Sequence, residues 1–543
     1  MRNHEDTGPM TDGTLTKPLD VAVVGAGIAG LYLLHRLRAA GFSVTVLEAA
    51  DDLGGTWYWN RYPGARCDVD SMFYSYSFDD DLQQEWEWTE RYATQPEILR
   101  YLNHVAERFD LRRDIRFGTR VRAARFDEEN GTWTLEAEDG ARIHSRFCIM
   151  ATGCLSAPNA PDFPGLEDFA GDLFRTSNWP HREVDFTGQR VGVVGTGSTG
   201  IQLIPVVAEQ AAQLIVFQRT PNYVIPAQNR PLDPEEVREI KARYDELRET
   251  AKTTPGGFNF IANDVSALSV GEEERNREFE KRWQLGGIPF LGAFNDLALD
   301  AAANETAQEF VRAKIRRIVA DPETADRLCP DNFFGCKRLC LDTGYFETFN
   351  RPNVRLVDVA KNPIERITEA GVQVAGTVHE LDALILATGF DAMTGALNRI
   401  EIRGRDGAAL KEKWCAGPRT YLGLAIAGFP NLFIVTGPGS PSVLSNMMPS
   451  IEHHVDWITD CLGYLRDRAA ATIEADRGAE DDWVEHVNEV ADRTLRVGCD
   501  SWYIGANIPG KPRVFMPYIG GVPAYRKKCD EVVAAGYEGF RVT

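Results

Sequence analysis

Two segments of this 543-residue chain are written to one plan. DVAVVGAGIAGLY begins at Asp20, and RVGVVGTGSTGIQ begins at Arg190. In each, a β-branched run ends at a glycine, a GxGxxG turn comes next, and an amphipathic stretch leads to a second apolar strand. Such a β-turn-α-β unit commits its two strands to a parallel sheet, since the helix must cross over between them. Gly25 permits the tight turn, Gly27 lets backbone approach a pyrophosphate, and Gly30 allows close packing of helix on strand. Gly195, Gly197 and Gly200 repeat the pattern, and each helix N-terminus faces the negative charge. Two such units predict an α/β chain with two Rossmann-like, dinucleotide-binding domains.

The two units differ at the end of their second strands. In the first unit that strand ends at Glu48, about 20 residues beyond the loop, where a ribose-binding acid belongs. In the second unit that place is taken by Arg219 in VFQRTPN. An acid there would repel a 2′-phosphate, whereas a guanidinium binds it through paired charged hydrogen bonds. The first loop is therefore expected to hold FAD and the second NADPH. A chain with both can move reducing equivalents from one cofactor to the other.

The remaining sequence arranges itself around these units. CIMATGCLSAP and LDALILATGF each read as an apolar strand ending in Ala-Thr-Gly, which brings backbone to the carboxyl end of an open sheet. PEEVREIKARYDELRETAK and GEEERNREFEKRWQL carry helical spacing with mixed charge. FPNLFIVTGPGSPS reads as one more buried strand with a glycine-proline loop. The expected organisation is nested. Residues 1–18 form a disordered tail and 19–153 the first part of the FAD domain. The NADP domain takes 154–385, with a helical insertion at about 230–330. Residues 386–543 return to the FAD domain with a substrate loop and a mobile loop.

Composition excludes some functions. With 80 acidic against 59 basic residues the net charge is −21, which disfavours nucleic acid and anionic membranes as partners. No run of about 18 apolar residues offers a membrane span, and the N-terminus lacks a signal peptide's apolar core. The ten cysteines show no paired framework, and Cys336 and Cys340 in CKRLC have neither redox nor metal-site spacing. Reduced thiols in a cytoplasmic protein, with no metal site, are the expectation. A disulfide-reductase role lacks its cysteine pair.

GGTWYWNRYPGARCD (Gly54 to Asp68) and FAGDLFRTSNWP (Phe169 to Pro180) resemble the two signature segments of the FAD- and NADPH-dependent Baeyer–Villiger monooxygenases. Gly55, Trp57, Tyr62, Pro63, Gly64 and Asp68 match the first, and Phe169, Gly171, Trp179 and Pro180 the second. RTYLGL, GPGSPSVLSNM and SWYIGANIPGKPRVF extend the resemblance over nearly the whole chain, with an appearance nearest the phenylacetone, steroid and cyclohexanone group. One position departs, because Arg175 stands where the family carries histidine. A permanent charge there replaces a titratable ring and bears on how NADPH use is coupled to product.

The resemblance implies O2-dependent conversion of a hydrophobic ketone (aryl, cyclic or steroid-like) to an ester or lactone through a C4a-peroxyflavin. That species must stay anionic and shielded from water, or it decays to hydrogen peroxide. A fixed cation favours the anion, and arginine does not titrate near neutral pH. By resemblance the catalytic cation is Arg338, oriented by Asp68. FAD contacts are implied for Gly25, Gly27, Ala29, Gly30, Glu48 and Thr56, and for Trp57, Asp68, Tyr74, Val121 and Met447. NADP contacts are implied for Arg66, Cys67, Thr196, Gly197, Ser198 and Thr199, for Gly200, Gln202, Arg219 and Thr220, and for Lys337, Arg338 and Trp502. Trp502 belongs to the mobile loop, and Ser442, Val443 and Leu444 are expected to line the ketone pocket. The partners implied are a ketone and O2, in a monomer or small homo-oligomer. Two rival readings stand beside this one. A flavin monooxygenase acting on sulfur or nitrogen needs the protonated hydroperoxide, and Trp179-Pro180 with Arg338/Asp68 weigh against it. A flavin-binding sensor without turnover has only Arg175 in its favour.

Overall fold

The computed structural model describes residues 18–543, so the tail expected over residues 1–18 lies, apart from Pro18, outside the described residues. The first glycine unit forms strand Leu19–Val24, helix Ile28–Ala39 and strand Val44–Leu47, with the strands paired in parallel. Val21, Ala22 and Val23 are fully buried, as expected of a strand covered on both faces. Its other edge pairs in parallel with strand Arg142–Met150. That long strand is shared. Its first half pairs antiparallel with Thr132–Ala137, and its last three residues pair in parallel with Leu432–Ile434. The chain thus returns to its first sheet after building a second one.

The second sheet has five strands, all parallel, in the order Val354–Asp358, Gln213–Gln218, Arg190–Val194, Ala383–Leu386 and Asp172–Arg175. Arg190–Val194 carries the second glycine loop, and its helix runs over Ser198–Gln210. In both sheets the strand ending in Ala-Thr-Gly pairs directly with the strand ending in GxG. Each pair of neighbouring carboxyl ends opens the crevice in which open α/β sheets bind ligands. Between the strands run helices Pro234–Ala242, Tyr244–Lys252, Glu272–Leu285, Ala301–Ile318 and Pro322–Leu328. Asp233, Asp300 and Asp321 cap three of them, each carboxylate accepting from a backbone N–H in the first turn. The apolar faces of the last three close over Phe279, Val311, Ile315 and Leu328 in one core with the second sheet, whereas Val237, Ile240 and Tyr244 of the first two pack into the core of the first sheet.

Helix Met447–Asp467 lies against the first glycine helix, where Tyr32 Oη and Arg36 Nε both donate to Asp456 Oδ1 at 2.8 Å. It also holds the loop after Leu432–Ile434. The Thr436 N–H donates to His454 Nδ1 at 2.9 Å, and the other ring nitrogen meets Tyr525 Oη at 2.8 Å. Thr436 has φ +55°, an uncommon conformation for a residue with a Cβ, so this bond pins a constrained turn. Burial lowers the His454 pKa to about 3. Between that value and the ordinary value near 6.5, the unfolded chain binds a proton that the folded chain refuses. Stability therefore falls as pH drops below about 6.5, by up to about 1.4 kcal/mol per pH unit from this group. Urea unfolding between pH 7 and 4 is expected to lose that slope in His454→Gln, and an identical slope would assign the acid sensitivity elsewhere.

The cysteines depart from expectation. Rather than ten reduced thiols, the structure joins Cys336 to Cys499, 163 residues apart in sequence. Local spacing carries no signal for such a pair, because only tertiary packing brings the two segments together. The other eight are free, most of them buried, with Cys415 exposed. Among the described residues no helix is long and apolar enough to cross a membrane, and no cluster of His, Cys, Asp and Glu could hold a metal ion.

Candidate active site

The carboxyl ends of the two sheets open into a single cavity of about 2060 Å³, about twice the upper end of an ordinary ligand pocket. Both glycine loops form its walls. Gly30 and Gly200 stand behind those walls, where a Cβ would sit 1.8 Å from the Gly25 carbonyl oxygen and 2.2 Å from that of Gly195. At Gly197 a Cβ would meet nothing within 4 Å, so this backbone presents its bare face to the cavity, as close approach of a pyrophosphate requires.

On the first sheet's side the cavity is lined by Gly25, Gly27, Ala29, Glu48, Thr56 and Trp57, then by Asp68, Tyr74, Val121 and Met447. Glu48 is buried, and its carboxylate accepts from Ala26 N at 2.6 Å and Ala50 N at 2.8 Å. Burial raises its pKa, and the backbone bonds pull the other way. These bonds fix its oxygens at the cavity wall, and each oxygen keeps a lone pair for a ribose hydroxyl. Trp57 Nε1 donates to Tyr74 Oη at 3.1 Å, so the two rings hold each other in place. An aromatic-walled pocket with a fixed acid fits a flavin dinucleotide.

On the second side stand Arg66, Cys67, Thr196, Gly197, Ser198 and Thr199, with Gln202, Arg219, Thr220, Lys337, Arg338 and Trp502. Lys337 has its pKa lowered by burial first and then by the Arg219 charge, so two cations share one corner. That corner suits a doubly charged 2′-phosphate. The signature segment around Gly64 ties the two sides together. Gly64 has φ +82°, and a Cβ there would sit 2.4 Å from the Gln202 carbonyl oxygen. Tyr62 Oη donates to Gln202 Oε1 at 2.9 Å, while Gln202 Nε2 donates to the Arg66 carbonyl at 3.1 Å. Only glycine lets this segment lie directly on the second glycine helix.

Where the two sides meet, Asp68 grips Arg338. Nε donates to Oδ2 at 2.7 Å, Nη2 donates to Oδ1 at 2.8 Å, and Nη1 donates to the Val443 carbonyl at 2.6 Å. Burial by itself would lower the guanidinium pKa, but the Asp68 charge and hydrogen bonds reverse this and raise it. The side chain keeps 20% of its exposure, and that part lines the cavity. The result is a cation of fixed direction that stays charged at any pH the fold survives.

Other expected residues take different places. Of the three residues assigned to the ketone pocket, Val443 lines this cavity. Ser442 is fully buried, with its hydroxyl against Cys154 Sγ at 3.0 Å and the Thr436 carbonyl at 3.2 Å. Leu444 packs partly buried beside it, outside the cavity lining. Arg175 ends the edge strand Asp172–Arg175 with its side chain exposed, away from the cavity. Arg175→His is therefore expected to leave product formed per NADPH within about twofold, the usual range for an exposed substitution. A larger gain in that ratio would give this position a role in coupling. Trp179 is buried in the second core, its ring stacked on Phe174 at 5.2 Å. Arg120, Arg312 and Asn332 also line the cavity, and no motif marks them. Arg312 sits on helix Ala301–Ile318, within the stretch whose sequence reads only as a helical insertion.

Comparison with known proteins decides the family. Residues 19–243 match the model of the "flavin-binding monooxygenase-like" family. The chain is 45% identical to the acetone monooxygenase (methyl acetate-forming) of Gordonia sp. strain TY-5, over 97% of this chain and all of that protein. The structure of an oxidized steroid monooxygenase bound to NADP superposes with TM-score 0.93 at 54% identity, covering 97% of this chain and 99% of the other. The chain belongs to the flavin-binding Baeyer–Villiger monooxygenases. It is an oxidoreductase of that family with the two-domain α/β fold that uses FAD and NADP. It is also 43% identical, over 96% of each chain, to phenazine N-monooxygenase PhzNO1 of Lysobacter antibioticus. Members this similar are thus named for oxidising nitrogen as well as ketones.

Proposed function

We propose that this Baeyer–Villiger monooxygenase inserts one atom of O2 beside the carbonyl of a bulky hydrophobic ketone (aryl, cyclic or steroid-like) in the cytoplasm, where NADPH is kept reduced. Ketone, O2, NADPH and a proton give ester or lactone, NADP+ and water. The observation that carries the reading is the Arg338 guanidinium, gripped by both Asp68 oxygens and the Val443 carbonyl at the wall of the cavity that both glycine loops line.

Bound FAD, once reduced by NADPH, supplies the activation of O2. The rest falls to the chain's own residues. Arg338 would set a fixed positive charge in the cavity, where it would stabilise the negative charge that grows on the carbonyl oxygen under attack. Asp68 is a positioning residue that keeps the fork of the guanidinium from rotating away. Glu48 and the first glycine loop would hold the flavin dinucleotide. Arg219 and Lys337 would hold the 2′-phosphate, with Trp502 over the nicotinamide side. Val443 presents an apolar side chain to the ketone while its carbonyl orients Arg338. The superposition with a steroid monooxygenase supports a bulky substrate, and the similarity to a phenazine N-monooxygenase supports nitrogen oxidation as the second reading.

The test is mass spectrometry of products from the purified holoenzyme given NADPH with an aryl ketone, a cyclic ketone, a steroid ketone and phenazine. An ester or lactone from at least one ketone is expected. N-oxide formation with no ester from any ketone would favour the second reading and remove the first.

A further inference from the structure

The Cys336–Cys499 disulfide joins two segments that stand on either side of the proposed nucleotide corner. Cys336 precedes Lys337 and Arg338, so it sits on the loop carrying two of the proposed NADP contacts. Cys499 lies shortly before Trp502, and the stretch from Gly498 to Trp502 borders the cavity from the other side. Segment 495–513 contains two short 3₁₀ turns, Leu495–Gly498 and Trp502–Ile504, and no strand. Beyond the bridge, its second half is tied to the rest of the fold by a handful of polar contacts. Asn507 Nδ2 donates to the Phe390 carbonyl at 2.7 Å, and Lys511 Nζ donates to Asp391 Oδ1 at 2.6 Å and to the Ala392 carbonyl at 2.7 Å. The Met516 N–H donates to the Tyr503 carbonyl at 2.9 Å. That last bond runs backbone to backbone, and the turn is anchored through Tyr503, buried beside Val443 and Phe515, with the partly buried Trp502 and Ile504 packed against the same cluster. Two buried polar atoms on residues that border the cavity, Ser501 Oγ and Asn507 Oδ1, have no partner.

We propose that Cys336 and Cys499 are a reversible redox lock, in which oxidation ties the Trp502 segment to the Lys337–Arg338 loop and slows nucleotide exchange. This rests on the reading of the cavity as the NADP site. The oxidant is hydrogen peroxide, formed when NADPH, a proton and O2 give NADP+ and H2O2 with no oxygen reaching a ketone. Cys499 borders the cavity in which that peroxide would be released. One thiolate attacks a peroxide oxygen, the O–O bond breaks, and a sulfenic acid forms as hydroxide leaves and takes up a proton. The second thiol attacks the sulfenic sulfur, the S–S bond forms, and water leaves. Two thiols thus lose two electrons and two protons, and one H2O2 becomes two waters. A dithiol reductant reverses the step by exchange. Uncoupled turnover would in this way close the enzyme that causes it.

The test uses holoenzyme loaded with NADP+, either reduced with dithiothreitol or treated with hydrogen peroxide and then desalted. Differential alkylation with peptide mass spectrometry reads the state of Cys336 and Cys499, and rapid dilution reads NADP+ release. Two alkylated thiols are expected after dithiothreitol and one 336–499 bridge after peroxide. Release should be on the order of tenfold slower in the bridged form, since lid opening gates exchange. Cys336→Ser and Cys499→Ser should both release NADP+ at the reduced rate whatever the treatment. A bridge that persists in dithiothreitol, thiols that peroxide leaves unpaired, or equal release rates in the two states would each overturn the lock. If NADP+ fails to bind in either state, the reading of the cavity falls and takes the lock with it.

Discussion

Replacing Arg338 with alanine is expected to lower ester formation by on the order of 10²- to 10³-fold, the usual effect of removing one preorganised charge from a reacting centre. Reduction of the flavin by NADPH should persist, because the glycine loops and the Arg219–Lys337 corner remain. The two measurements separate a chemical role from a binding role. Anaerobic bleaching of the flavin by NADPH reports the first half-reaction, and product yield in air reports the second. Hydrogen peroxide should appear in place of ester. Arg338→Lys keeps a charge but loses the fork that meets both Asp68 oxygens, so it should recover only part of the yield. Asp68→Asn should also lower ester yield while sparing flavin reduction, since its part is to aim the guanidinium. Unaltered ester yield in Arg338→Ala would remove the cation from the reaction and leave the proposed mechanism without its centre.

The second large effect concerns the choice of nucleotide. Arg219→Ala removes a charged hydrogen-bond donor from the proposed 2′-phosphate corner, and such bonds contribute about 1.5–3 kcal/mol each. The KM for NADPH should rise on the order of 10- to 100-fold while that for NADH barely changes. The preference should narrow further in Arg219→Ala/Lys337→Ala, and the two effects should not simply add, because the cations lie close enough for one to lower the other's pKa. Raising the salt concentration should weaken NADPH binding in the wild type more than in the variants. Equal use of NADPH and NADH by the unaltered enzyme would withdraw the assignment.

Much of the fold that walls the cavity was legible because its parts are local. A glycine turn, a strand ending in an acid and a strand ending in an arginine are each read from a few neighbouring residues, and backbone sterics make their geometry nearly independent of context. The placing of Arg338 beside Asp68 was legible only through resemblance. The two are 270 positions apart, and neither looks different in sequence from a residue of a surface ion pair. Ser442 shows the reverse case. In a loop of small and apolar residues it reads as pocket lining, yet its hydroxyl has turned inward to Cys154 and the Thr436 carbonyl. A short polar side chain takes whichever partner packing supplies, and periodicity cannot rank the choices.

The sequence alone therefore determined that this chain builds two glycine-loop units with parallel strands, and that an acid follows the second strand of one while an arginine follows that of the other. Those features arise from strand, turn and charge within single segments. Tertiary structure decided how the units share one cavity, which residue of the Ser442–Leu444 turn faces it, and that Cys336 meets Cys499. These depend on pairs of surfaces distant in the chain, whose approach is set by the packing of whole sheets and helices.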